Sequence, residues 1–338
     1  MRAAVIGSGA WGTALALVLL ENGHQVALWS HTRQECDRLR AERENPMLPG
    51  VSLPEGLELT TDLACVKGCQ AIVLATPSFA VRETARRLGG LADPGTPVVL
   101  ASKGIERGSS LLLHQVAEQE LGGGRPVVVL SGPSHAEEVG RRLPTAVVVA
   151  CEDRQAAVLV QEMFMNQRFR IYTSPDIVGV EVGAAMKNVI ALCAGCCDGM
   201  GYGDNTKAML MTRGLTEMAR LGVAMGARKE TFAGLAGLGD LIVTCTSMHS
   251  RNRRAGILVG QGKSVQQAME ELGGAVVEGY YAAASAKELA DKAGVEMPIT
   301  FGAYEVLYQG KDPQQVMGSL MARQARTEQE PEAEQSWL

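Results

Sequence analysis

VIGSGAWGTALALVL, residues 5–19, decides how this chain folds. Two β-branched apolar residues run into Gly7, Gly9 and Gly12, and an Ala- and Leu-rich helical pattern follows. A strand, a G-x-G-x-x-G turn and a helix together make a dinucleotide-binding junction. The first glycine permits the tight turn, the second lets backbone approach a pyrophosphate, and the third lets helix and strand pack closely. The helix start adds free N–H groups and partial positive charge directed at the phosphates.

Moving outward, near-continuous Val- and Ile-rich runs lie at 3–7, 25–29, 71–75, 97–102, 126–132 and 145–150. Such runs are strands buried on both faces of a mainly parallel sheet. Helical patterns separate them, as in TALALVLLENG (13–23) and FAVRETARRLGG (79–90). Repeated strand–helix units predict an α/β, doubly wound Rossmann-type N-terminal domain. From about residue 176 the strand signals stop. Helical patterns over 176–197, 204–222, 251–261, 264–272, 279–293 and 299–308 predict an all-α C-terminal domain. The expected division is 1–178, 179–325 and a polar, acidic tail over 326–338.

The chain has 338 residues, 46% hydrophobic and 20% charged, with net charge −5. That length suits two domains with cores of their own. The mild acidity argues against a nucleic-acid or anionic-membrane binder, which needs a basic field. No uninterrupted apolar run approaches the roughly 20 residues that span a bilayer. MRAAVIGSGAWG turns directly into the glycine loop, unlike a secretory signal, so a cytoplasmic location is expected. Cys193, Cys196 and Cys197 form C-x-x-C-C within IALCAGCC, and Cys65 and Cys69 sit four apart. Neither has zinc-site spacing, so these thiols are expected to pack as small hydrophobes, with no metal.

The second strand ends VALWSHTRQ, with no acid before Glu35. A strict NAD site places an acid there for the ribose 2′-hydroxyl. Ser30, His31 and Arg33 instead suit a 2′-phosphate, which favours NADP(H), with NAD(H) tolerated. Lys187, in VGVEVGAAMKNVIALCAG (178–195), poses another question. Its helical neighbours Gly183, Ala184, Ile190 and Ala191 cannot pair with an ammonium. The simplest reading is that the stem lies along the core and the head snorkels to water, unless the rest of the chain gives the ammonium a task. ASKGIERG (101–108) puts Lys103 just after a strand. SGPSHAEEVGRRLPTA (131–146) is a similar strand-end loop, and GLGDLIVTCTSMHSRNRRAG (237–256) holds Asp240, Thr244, Arg251 and Asn252. SRNRRAG alone reads as a capped, solvated helix start; joined to Lys103 it offers a cation and an amide for a phosphate.

GSGAWGTALA, SKGIE, SGPSHAEEV, KNVIALCAGCCDGMGYGDNTKAMLMTRGLTEMARLG, GLGDLIVTCTS, SRNRRAG and VVEG run in order from about residue 3 to 310. Together they resemble the signatures of bacterial NAD(P)-dependent sn-glycerol-3-phosphate dehydrogenase. His135 departs from that pattern, standing where the family commonly carries Phe. The resemblance implies reversible hydride transfer between NAD(P)H and dihydroxyacetone phosphate, giving sn-glycerol 3-phosphate for glycerophospholipid synthesis. It implies Lys187 as proton donor and acceptor, Lys103 as a second substrate lysine, and Asp240 as the group that orients the ammonium. Arg251 and Asn252 become the phosphate pair beside Ser250. Gly132, Ser134, Asn188 and Thr244 complete the substrate contacts. The implied coenzyme contacts are Gly7, Gly9, Ala10, Trp11, Gly12, His31, Arg33, Lys103, Ala136, Arg251, Val277 and Glu278. A homodimer is compatible with the resemblance. Two rival readings are another two-domain hydroxy-acid dehydrogenase, which wants a carboxylate clamp near the lysine, and a non-catalytic dinucleotide sensor. The sensor has no need of Lys103, Lys187, Asp240 and Arg251 together.

Overall fold

The strand-bearing half is a single eight-stranded sheet. Its strands are β1 (Arg2–Ile6), β2 (Gln25–Trp29), β3 (Leu57–Thr60), β4 (Ala71–Leu74), β5 (Val98–Leu100), β6 (Val127–Ser131), β7 (Thr145–Ala150) and β8 (Phe169–Ser174). The computed structural model describes residues 1–328 except 123, 275 and 326, so the expected tail over 326–338 lies, but for Thr327 and Glu328, outside the described residues. The strand order is β3-β2-β1-β4-β5-β6-β7-β8. β1 to β6 are mutually parallel, while β7 pairs antiparallel with β6 and parallel with β8. The order reverses between β1 and β4, the place where an open α/β sheet leaves a crevice for ligands.

All six strands expected from apolar runs are present, within a residue or two of their ends. β3 and β8 are additional. They are the two edge strands, LELT and FRIYTS, and each exposes alternate side chains. Their polar positions face water, so they lack the continuous apolar signature of a central strand.

The helices of this half are α1 (Ala10–Glu21), α2 (Arg33–Glu42), α3 (Val81–Gly89), α4 (Leu113–Leu121), α5 (Ala136–Gly140) and α6 (Arg154–Phe164). Beyond them come α7 (Ile177–Gly199), α8 (Asp204–Ala224), α9 (Asp240–Thr246), α10 (Arg251–Gly260), α11 (Val265–Glu271), α12 (Glu278–Ala293), α13 (Pro298–Gln309) and α14 (Pro313–Met321). α9 and α14 are short and carry no long period to read.

α7 is the core around which the others pack. Asp176 caps its start, accepting from the Gly179 N–H at 2.9 Å, and its other oxygen accepts from the Arg228 N–H. By length and composition α7 is long and apolar enough to cross a membrane, yet 89% of its apolar window is buried inside the protein. Its apolar surface is thus consumed by its neighbours. Closest among them is α10, and glycines make that approach possible. A Cβ on Gly195 would lie 2.0 Å from the Arg253 carbonyl oxygen, and one on Gly256 would lie 2.0 Å from the Leu192 carbonyl oxygen. Gly256→Ala is therefore expected to cost about 1–3 kcal/mol despite alanine's better helix propensity, because the two backbones must part. Chemical denaturation measures this, and an unchanged midpoint would show that the helices separate freely.

All eight cysteines are free, and seven are buried. Burial pushes the Cys65, Cys196 and Cys245 thiols up to about 12 and Cys197 up to about 11. They are protonated, space-filling groups, as the apolar setting of the C-x-x-C-C run predicts.

Candidate active site

The glycine turn forms a cradle with one open side. Gly7 has φ +121°, and a Cβ there would stand 2.7 Å from the Ala75 carbonyl oxygen at the end of β4. A Cβ on Gly12 would fall 1.9 Å from the Gly7 carbonyl oxygen, whereas one on Gly9 would meet nothing within 4 Å. Two glycines are thus fixed by packing and the third faces free space. Gly9 is also the N-cap of the 12-residue α1, which has no side-chain cap and no acid in its first turn. An anion is the natural complement of such a helix end. Asn45, buried in the loop after α2, braces the cradle from behind. Its amide donates to the Ser8 carbonyl at 2.8 Å and to Thr13 Oγ at 2.7 Å.

Five buried side-chain polar atoms have no partner among the described residues: Trp11 Nε1, Ser30 Oγ, Thr76 Oγ1, Ser131 Oγ and His135 Nε2. They lie on α1, at or just beyond the ends of β2, β4 and β6, and at the start of α5. Buried polar groups are normally satisfied, so orphans gathered along one crevice fit a polar ligand there. His31 and Arg33 are exposed just beyond β2, and Arg33 lies 3.7 Å from Asp37. Ala10 and Trp11 are half-buried, while Ala136 and Val277 are buried.

Across the crevice, three charges meet. Lys187 is only 6% exposed, and its Nζ donates to Asp240 Oδ1 at 2.5 Å and Thr244 Oγ1 at 3.0 Å. The snorkelling reading therefore fails: the ammonium points inward, to a carboxylate supplied 53 residues later. Asp240 Oδ2 accepts from Lys103 Nζ at 2.9 Å, and Lys103 also donates to the Gly132 carbonyl at 3.2 Å. Ser134 Oγ donates to the same carbonyl at 2.8 Å. Thr244 completes the ring, its hydroxyl donating to the Asp240 backbone carbonyl at 2.5 Å.

Local sequence explains how Asp240 arrives there. A single π-helical turn, Leu235–Gly239, lies on α7 and ends at Asp240, the first residue of α9. It fits because position 183, one turn before Lys187, is glycine; a Cβ there would stand 2.6 Å from the Ala236 carbonyl oxygen.

Burial brings Lys187 down from 10.5 to about 7, with the Lys103 charge adding to the fall and Asp240 opposing it. For Asp240, burial alone would raise the pKa, but the two ammoniums outweigh it and hold the carboxyl below its usual value. The arrangement is a lysine that exchanges a proton near neutrality, oriented by a permanent carboxylate beside a second cation.

A polar ladder continues from α7. Asn252 Nδ2 donates to Asn188 Oδ1 at 2.9 Å, and the Gly279 N–H donates to Asn252 Oδ1 at 2.8 Å. Ser250 caps α10, accepting from the Arg253 N–H at 3.2 Å, as its sequence predicts. Arg251 stands exposed at that helix start, next to buried Asn252. Glu278 opens α12 and accepts from Ser78 Oγ at 2.8 Å. Lys103, Gly132, Ser134, Lys187, Asp240 and Thr244 thus form one hydrogen-bonded cluster, with Asn188 and Asn252 alongside it. His31 and Arg33 lie apart, beyond β2.

Asn45 and Ser78 were not legible as site components, and the buried Glu181 was not legible as a structural tie. The Asn45-Pro46 pair marks a turn but says nothing of its target. Glu181 accepts from the His114 N–H at 3.0 Å and pairs with the His114 ring, tying α4 to α7. Burial raises the Glu181 carboxyl. It would lower His114, but the Glu181 hydrogen bond and charge prevail and raise it.

Residues 2–157 match the family model for the NAD-dependent glycerol-3-phosphate dehydrogenase N-terminus, and residues 176–318 match the one for its C-terminus. The chain is similar to glycerol-3-phosphate dehydrogenase [NAD(P)+] of Desulfitobacterium hafniense, with 53% identity over 95% of this chain and 91% of that protein. It is 54% identical to the protein of the same name from Moorella thermoacetica, over 95% of each. The crystal structure of glycerol-3-phosphate dehydrogenase from Coxiella burnetii superposes with a TM-score of 0.91 at 42% identity, covering 95% of this chain and 99% of that one.

Proposed function

The chain belongs to the NAD-dependent glycerol-3-phosphate dehydrogenase family, a group of NAD(P)-dependent oxidoreductases, and from that premise we propose how its own residues carry the reaction. The reaction is reversible interconversion of dihydroxyacetone phosphate and sn-glycerol 3-phosphate. When bound, NAD(P)H supplies the hydride that reaches C2 of the ketone. Negative charge then grows on the carbonyl oxygen, and Lys187 delivers a proton to it. In the reverse direction neutral Lys187 removes the hydroxyl proton. Asp240 holds Lys187 in one orientation, and Lys103 places a second cation beside the same oxygen. The observation that carries this reading is the Lys103–Asp240–Lys187 bridge, with Lys187 brought to about 7.

Arg251 takes the substrate phosphate at the start of α10, with Ser250 and Asn252 beside it. Gly132, Ser134, Asn188 and Thr244 line the rest of the substrate site. The open Gly9 face and the start of α1 take the coenzyme pyrophosphate, with Gly7 and Gly12 shaping the turn. Ala10, Trp11, Ala136, Val277, Glu278 and the shared Lys103 and Arg251 complete the coenzyme contacts. His31 and Arg33 favour NADP(H) by pairing with a 2′-phosphate.

The division into a dinucleotide-binding domain, 1–178, and a helical substrate-binding and catalytic domain, 179–325, puts the glycine cradle in the first and Lys187 and Asp240 in the second, with Lys103, Arg251, Val277 and Glu278 reaching across. The end of β8 at Ser174 and the start of α7 at Ile177 lie within a few residues of that boundary, which itself falls in the first turn of α7. The product serves glycerophospholipid synthesis. Eight free thiols favour a reducing, cytoplasmic setting.

Absorbance at 340 nm tests the activity. Added dihydroxyacetone phosphate should drive oxidation of NADPH, and of NADH. Turnover with 2-keto acids and none with dihydroxyacetone phosphate would transfer the chain to the hydroxy-acid reading. Arg251→Ala should raise the KM for dihydroxyacetone phosphate by about 10- to 100-fold, the loss of a charge-assisted phosphate contact. An unchanged KM places the phosphate elsewhere.

A further inference from the structure

We infer that Ser78 is a positioning residue for coenzyme binding, acting through Glu278 across the crevice between the sheet and the helical half. The inference rests on the proposed role of Glu278 as a coenzyme contact.

Ser78 begins a short 3-10 turn, Ser78–Ala80, beyond the end of β4, and is buried. Its hydroxyl donates to Glu278 Oε2 at 2.8 Å, and its N–H approaches Oε1 at 3.5 Å. These bonds join residues 200 apart, one on each side of the crevice. Both anchors are held by hydrogen bonds and close packing. On the sheet side, Ser102 Oγ donates to the Thr76 carbonyl at 2.6 Å, and the Ala75 carbonyl oxygen packs on Gly7, so Ser78 stands on the wall of the glycine cradle.

On the helical side, Glu278 lies between buried Val277 and Gly279, whose N–H is held by Asn252. A Cβ on Gly279 would lie 2.4 Å from the Asn188 carbonyl oxygen, so α12 sits directly on α7 there. The loop after β5 closes over the pair. A Cβ on Gly104 would stand 2.9 Å from Ser78 Cβ and 3.5 Å from Glu278 Oε2.

A carboxylate in such a confined place has few partners to choose from. Burial raises its pKa, and the Ser78 hydrogen bonds are the leading influences that bring it down, ahead of the Arg251 and Arg107 charges. Without Ser78, the Glu278 side chain loses its main constraint on rotation and its main stabilisation as an anion. Coenzyme affinity should fall, while proton exchange at Lys187 has no direct dependence on Ser78.

Calorimetric titration with NADPH, alongside the 340 nm assay, tests this in Ser78→Ala, Ser78→Thr, Glu278→Ala and the Ser78→Ala/Glu278→Ala double variant. Ser78→Ala should raise the NADPH Kd by about 3- to 10-fold and the NADPH KM in parallel, the size expected for one net hydrogen bond. Turnover at saturating coenzyme should stay within about twofold. Ser78→Thr, which keeps the hydroxyl, should restore most of the affinity. In the Glu278→Ala background, removing Ser78 should add nothing.

An unchanged Kd in Ser78→Ala overturns the inference, as does full additivity in the double variant, which would make Ser78 an independent coenzyme contact. If Ser78→Ala accumulates poorly, Glu278→Gln probes the same pair from its other side. That variant keeps one acceptor and should fall between wild type and Glu278→Ala; wild-type affinity there and in Glu278→Ala also overturns the inference. Calorimetry needs no substrate, so failure of dihydroxyacetone phosphate turnover would count against the proposed activity alone.

Discussion

Lys187→Ala is expected to reduce turnover of dihydroxyacetone phosphate by about 10²- to 10⁴-fold while changing NADPH affinity by less than about threefold. The reason lies in the burial of Lys187 and its two partners, Asp240 and Thr244, in what we propose as the substrate side of the crevice. Lys187→Arg is expected to be nearly as poor. It keeps a positive charge but cannot release a proton in the working range, so it separates electrostatic stabilisation from proton exchange.

The pH dependence carries the same claim with a definite sign. Lys187 is depressed to about 7, so it is protonated below that value and neutral above it. Reduction needs the protonated form, and its rate should fall as pH rises through about 7. Oxidation of sn-glycerol 3-phosphate needs the neutral form, and its rate should rise over the same interval. Rate profiles in both directions check this. A Lys187→Ala enzyme retaining a tenth of wild-type turnover, or profiles that bend the same way in both directions, would remove Lys187 from the proton step.

Asp240→Asn should act nearly as strongly, by a different route. The substitution keeps the shape but leaves Lys103 and Lys187 facing each other without the carboxylate between them. Asp240 is the main influence raising the Lys187 pKa against burial, so its loss should drive that pKa further down. The reduction limb then moves to lower pH, and turnover at pH 7.5 should drop by about 10²-fold or more, since little Lys187 remains protonated and the rest is poorly oriented. Loss of one partner from a buried ion pair also costs about 3–5 kcal/mol when the other stays charged, so thermal stability should fall, most of all at acid pH. A reduction limb that stays in place would show that Asp240 does not set the Lys187 pKa.

What the sequence makes legible follows how local each feature is. The glycine cradle is written in six consecutive positions, Gly7 to Gly12, and folds as read. The central strands are legible because both faces are buried, as for β1 and β4. The edge strands β3 and β8 escape because half their side chains face water. Lys187 is conspicuous from its apolar neighbours alone, but its carboxylate partner is not. Asp240 reaches it through a π turn that no periodicity announces. Lys103 joins Asp240 across 137 residues, a pairing that neither the local pattern nor the family resemblance suggested. Asn45 and Ser78 carry no signal of this kind, since each is a small polar residue near a turn. Their targets, the Ser8 carbonyl and Glu278, are set by tertiary packing.

The three bridged charges have a consequence for recombining parts of this protein. Lys103 comes with the sheet, Lys187 with α7 and Asp240 with the turn beyond it. Grafting the nucleotide-binding half of another dehydrogenase onto these helices would transfer coenzyme preference but strand a buried carboxylate with a single counter-ion. Coenzyme exchange by shuffling whole segments must therefore carry Lys103 and its loop across the junction, whereas changes confined to the rim around His31 and Arg33 leave the charge set intact.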